Sequence, residues 1–144
     1  MRMAMAMTLV SGLLVGGSTQ AADGDEALDG EWTLTSGEAD GKALGNDHLK
    51  DGKLILKGET YKVKLAGRDA VAGKQKTDPS KNPKTIDIAD TEGANAGKVC
   101  LGLYELKGDE FRVVFAPPGK PRPTKFSTEA GTGEWVHVWK RVKP

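Results

Sequence analysis

The stretch that limits the fold most covers residues 97–126, GKVCLGLYELKGDEFRVVFAPPGKPRPTKF. Two apolar, β-branched and aromatic runs, Val99–Leu106 and Glu110–Phe115, flank Lys107-Gly108-Asp109. Gly108 takes a positive φ without steric cost and Asp109 can bond its own backbone, which makes this a β-hairpin signature. A proline-rich crossing, Pro117 to Pro123, follows and ends at Phe126. Nowhere does the chain repeat apolar residues at the 3.6-residue period for long enough to make a packed helix. Its apolar surface therefore has to be buried by strands.

The remaining strands emerge from the same two-residue alternation. Leu28–Thr35 is the first, with Trp32 and Leu34 on one face. Ser36 to Asp51 is polar and punctuated by glycine, with room for one helical turn at Asn46–Leu49. Lys53–Lys57 and Thr60–Ala66 make a second hairpin across Gly58-Glu59, with Tyr61, Val63 and Leu65 alternating with wet lysines. Val71–Thr77 and Thr85–Ile88 read as further strands, separated by the turn cluster Asp78 to Pro83, and Asp90 to Ala96 returns to loop composition. The last strand is Glu134–Val142. Trp135, His137, Trp139 and Arg141 share one of its faces and Val136, Val138 and Val142 the other, so the strand is either covered on both sides or aromatic at a barrel end. About eight strands joined by short turns favour an all-β, antiparallel up-and-down barrel, because closure removes both sticky edges. An open sandwich is the alternative.

Residues 1–22 are set apart from this domain. Arg2, a short apolar run from Met3 to Val15, and the small-x-Ala pattern Thr19-Gln20-Ala21 read as a secretory signal peptide. The apolar run is short of the ~20 residues of a membrane span. The expectation is an exported protein, periplasmic or extracellular, whose domain occupies residues 23–144 and has no integral membrane segment after cleavage. Cys100 is the sole cysteine, so no disulfide forms within the chain, and its place in an apolar strand suits plain packing. Lys plus Arg total 21 and Asp plus Glu 20, a balance that gives no broad field for nucleic acid.

Several short blocks, in order, resemble a known family. Gly30-Glu31-Trp32 with Arg141 near the end of the chain is similar to lipocalin-type barrels, in which a Gly-x-Trp opens the first strand and a late arginine packs across the indole. Leu28-Asp29-Gly30-Glu31-Trp32, Asp40-Gly41-Lys42, Pro83-Lys84-Thr85-Ile86-Asp87-Ile88, Gly102-Leu103-Tyr104-Glu105-Leu106, Arg122-Pro123-Thr124-Lys125-Phe126 and Lys140-Arg141 together resemble a planctomycete-type family of exported, uncharacterised lipocalin-like domain proteins. The resemblance implies a β-barrel and export, and no ligand. On the residues themselves, Arg141 over Trp32 is a cation–π contact that ties the last strand to the first. Arg122 suits bonds to loop carbonyls in the extended proline crossing.

Enzyme chemistry finds little to work with. His48 and His137 stand without a Ser/His/Asp order, paired cysteines or metal-ligand spacing. His48 reads as an exposed loop residue and His137 as a cross-strand packing residue. Asp87, on the polar phase of its strand, is an acid that can face a lumen. Asp47/Asp51 and Asp90/Glu92 do not amount to a calcium loop. The chain is therefore read as no enzyme, with no cofactor and no metal. A small barrel either fills its interior or keeps room for one ligand. Tyr61, Tyr104, Phe111, Phe115 and Trp135 are the candidate lining, with Arg112 as a polar anchor; the other reading is that they fill the core. The functional expectation is a monomer that holds a small, partly apolar molecule. The alternative is a structural or protein-interaction module of the cell envelope, presenting the Pro117 to Pro123 crossing.

Overall fold

The structure, a computed structural model, describes residues 25–65 and 68–143. The leader read over residues 1–22, Ala66 and the side chain of His48 lie outside the described residues. A short 3-10 turn, Glu26–Leu28, leads into β1 (Gly30–Ala39), β2 (Lys42–Ala43), a single helical turn α1 (Asn46–Leu49), β3 (Lys53–Lys57) and β4 (Thr60–Leu65). Then come β5 (Arg68–Asp78), β6 (Lys84–Glu92), β7 (Val99–Lys107), β8 (Glu110–Phe115) and β9 (Trp135–Arg141). Among the described residues no helix is long and apolar enough to cross a membrane.

Antiparallel neighbours run β1-β3-β4-β5-β6-β7-β8-β9, and β9 pairs back onto β1 from Trp32↔Arg141 to Ala39↔Trp135. The sheet is thus a closed barrel of eight strands, and the open sandwich is excluded. β1 bends at a bulge between Leu34 and Ser36, where Thr35 Oγ donates to the Val138 carbonyl at 3.0 Å. Before the bulge its second edge pairs with β3; beyond it, the two-residue β2 takes that edge at Glu38↔Ala43. No long edge of β1 is left unpaired.

Closure rests on the last arginine. The Arg141 guanidinium carbon lies 4.2 Å from the Trp32 ring centroid, and its nitrogens donate to the carbonyls of Asp29 at 3.0 Å and Ala27 at 2.5 Å. Trp32 is wholly buried and its Nε1 donates to the Leu28 carbonyl at 2.9 Å. Asp25 adds a second tie: its amide donates to Thr77 Oγ at 2.8 Å, and its carboxylate accepts from the Tyr104 hydroxyl at 3.0 Å. The segment before β1 is therefore a plug across one end of the barrel.

Both faces of β9 are covered, which resolves the ambiguity of its sequence. Trp139 belongs to the interior, whereas Val136 and Val138 pack outside with Leu103, Val114 and Phe126. The crossing between β8 and β9 lies over that outer patch. Asp40 accepts from the amides of Gly131 at 2.6 Å and Gly133 at 3.3 Å, and Glu38 accepts from Thr128 Oγ at 2.9 Å. Arg122 donates to the Gly102 carbonyl at 2.8 Å and sits 2.7 Å from Asp87 Oδ1, off the hydrogen-bond axis, as an ion pair. Asp87 accordingly faces outward under the crossing. The expectation that it could face the lumen is corrected: Ile86 and Ile88 hold the inward phase of β6, and period two sends Asp87 the other way.

Candidate functional site

Inside the barrel, the inward phases of β3 to β6, β8 and β9 leave a cavity of about 190 Å³. Leu54, Leu56, Ile86, Phe111, Val113 and Trp139 form its deep wall, each at most a few per cent exposed. Val63, Leu65, Val71 and Trp135, half-buried, form the end away from the plug. The aromatic rings continue from floor to rim: Trp32 and Phe111 centroids are 5.5 Å apart, and Phe115 and Trp135 5.6 Å. His137, on the wall between Trp135 and Trp139, meets Trp139 edge to face at 5.5 Å.

Four of the six lining residues expected from sequence come together here: Tyr61, Phe111, Phe115 and Trp135. Tyr104 does not reach the cavity. Its ring lies in the floor, 5.9 Å from Phe111, because its hydroxyl is drawn to Asp25 in the plug. Arg112 is not a polar anchor inside. It takes the outward phase between Phe111 and Val113 and pairs with Glu105 at 3.4 Å and Glu110 at 3.6 Å. Burying its guanidinium among apolar side chains would cost far more than that exposed pairing returns.

The polar group of the lumen is one that loop composition concealed. β6 continues through Asp90 to Glu92, and unbroken pairing with β5 from Asp78↔Thr85 to Gly73↔Asp90 keeps Asp90 on the inward phase of Ile86 and Ile88; the bulge comes only after it, before Ala72↔Glu92. Asp90 is 6% exposed, lines the cavity, and accepts a hydrogen bond from the Tyr61 hydroxyl. Gln75 lines the same wall and reaches the Gly58 carbonyl at 3.4 Å. The two-residue phase that selects Ile86 and Ile88 also selects Asp90, and that was the signal available in the sequence.

Burial pushes the Tyr61 phenol far up from its ordinary value, and the bond to Asp90 adds to the shift. Tyr104 moves the same way, through burial first and then the Asp25 carboxylate. The Cys100 thiol, 1% exposed, is also raised, by burial and then by Asp90. A phenol and a thiol held protonated are poor nucleophiles and poor bases. Among the described residues no group of three His, Cys, Asp or Glu side chains is placed to hold a metal ion.

No family model, curated protein or solved structure matches this chain. The lumen therefore has to be read on its own geometry.

Gly73 makes the Tyr61–Asp90 contact possible. A Cβ at this position would lie 2.3 Å from the Ala89 carbonyl oxygen and 2.5 Å from the Tyr61 hydroxyl. Gly73→Ala is expected to destabilise by about 1–3 kcal/mol, the usual cost of overpacking. Ultraviolet absorbance should also show a changed Tyr61 environment. A variant with unaltered stability and spectrum would show that the phenol is not held against this glycine.

Proposed function

We propose that this protein is an exported, lipocalin-like barrel that binds, without chemistry, one small and partly apolar molecule in its lumen. The observation that carries the reading is the cavity of about 190 Å³, walled mostly by aliphatic and aromatic side chains, with the Tyr61–Asp90 pair, Gln75, Asn95 and His137 as its polar groups. Ligand pockets of this kind combine apolar walls with a few placed polar groups. The volume sets the size of the guest. An engineered apolar cavity of about 150 Å³ holds benzene, and drug-sized pockets start near 300 Å³. A molecule of one or two rings fits, and a long-chain lipid does not.

Export is part of the proposal and rests on the Arg2-to-Ala21 leader pattern; the family resemblance rests on the short sequence blocks. The barrel is consistent with the second, being the architecture that such a family implies. The envelope-module alternative has its own support in a surface groove of about 330 Å³ along the proline crossing, bordered by Lys120, Arg122 and Glu134. Native mass spectrometry of protein taken from its own host separates the two, with a co-purifying small molecule expected. Val63→Phe, which fills the half-buried end of the cavity, should remove that molecule and leave the melting temperature within a few degrees, since a partly exposed site tolerates the added volume. Absence of any bound small molecule from the native protein, with Lys120 or Lys125 crosslinking to a protein instead, would replace the first reading by the second.

A further inference from the structure

Resting on the lumen-binding reading, we infer that the guest is a small organic cation: an amine carried on an aromatic or branched aliphatic body. The chain carries 21 Lys and Arg against 20 Asp and Glu, yet among the described residues that line the cavity there is one carboxyl group and no lysine or arginine. That carboxyl, Asp90, is 6% exposed; among the described residues its side-chain partner is the neutral Tyr61 hydroxyl, and no salt bridge between described residues involves it.

A buried acid facing a cavity without a cation partner is a costly arrangement unless something supplies the opposite charge. The walls reinforce the sign. Tyr61, Phe111, Phe115, Trp135 and Trp139 turn five aromatic rings to the same space, and ring faces carry the negative part of the quadrupole. A carboxylate set among aromatic rings favours an ammonium group, whereas a guest carboxylate or phosphate would meet the like charge of Asp90. Tyr61 has a positioning role: its hydroxyl holds one Asp90 oxygen and leaves the other for the guest. Among the described residues His137 lines the same cavity, and the Cys100 thiol, which feels the Asp90 charge, is held neutral chiefly by burial.

Three probes of nearly equal shape test this on the purified protein near neutral pH: benzylamine, benzyl alcohol and benzoate, followed by calorimetry and tryptophan fluorescence. Benzylamine should bind about tenfold or more tightly than benzyl alcohol, the usual worth of a charge-assisted bond. Benzoate should bind weakest. Asp90→Asn should erase the preference for the amine and leave benzyl alcohol binding within about twofold. Tyr61→Phe, which keeps the acid, should retain the preference and guards against a misfolded Asp90 variant. Equal binding of amine and alcohol, or a preference that survives Asp90→Asn and vanishes in His137→Gln, would overturn the cation inference while leaving lumen binding intact. Failure of all three probes to bind would overturn both.

Discussion

Replacing Trp32 by alanine is expected to cost about 3–5 kcal/mol, the range for truncating a fully buried indole. Against a total stability of about 5–15 kcal/mol for a domain of this kind, that is about a fifth or more of what holds it folded. The loss has three sources. The ring is wholly buried and packs on Phe111 at 5.5 Å. Its Nε1 satisfies the Leu28 carbonyl. Arg141 stacks on its face at 4.2 Å, a contact worth roughly 0.5–2 kcal/mol. Urea denaturation should show the lower midpoint, with a melting temperature reduced by roughly 10–20 °C. Trp135→Ala is the comparison: that ring is only half-buried at the rim and should cost much less. If both replacements cost the same, the closure of β9 on β1 does not depend on the Trp32 stack. A double-mutant cycle of Trp32→Phe with Arg141→Met would then isolate the cation–π contribution from the packing.

Alkaline titration should unfold the protein before either tyrosine ionises in the folded state. Tyr61 is 5% exposed and Tyr104 fully buried, and both phenols are raised, by burial first and then by the carboxylates of Asp90 and Asp25. Their unfolded value is about 10. The folded state therefore keeps protons that the unfolded state gives up, so the stability they contribute is complete below about pH 10 and falls as pH rises beyond it. The slope is at most about 1.4 kcal/mol per pH unit for each phenol, an upper value because water reaching the lumen weakens it. Cys100 acts in the same direction from about pH 8.5, its unfolded value. Phenolate absorbance and tryptophan fluorescence should change together in one cooperative step. Tyr61→Phe should shallow the loss and move the step to higher pH. A phenol that titrates near pH 10 while the fluorescence stays native would refute the buried assignment.

Strand identity was legible wherever alternation was strict and turns were short. The bounds of β8, Glu110–Phe115, and the helical turn at Asn46–Leu49 are those read from the sequence. β5 is longer than its alternation suggested, Arg68–Asp78 against Val71–Thr77, because pairing with β4 and β6 carries weakly patterned residues along. The candidate site was half legible. Tyr61, Phe111, Phe115 and Trp135 were found because large rings on an inward phase have nowhere else to go. Arg112 was misplaced by treating a polar residue among aromatics as inward, against its own phase, and Tyr104 by overlooking what the plug would offer its hydroxyl. Asp90 was lost because Asp-Thr-Glu-Gly looks like a loop until the β5–β6 pairing is known.

By itself, the sequence determined the all-β class, the order of the strands and which side chains share a face, since these depend on local steric rules and a period of two. Only the tertiary structure decided that β9 returns to β1, that residues 25–28 stop one end, and that an acid stands inside an aromatic wall with space beside it. Those outcomes depend on shear, bulges and which distant groups meet, and none of these is written in any single strand.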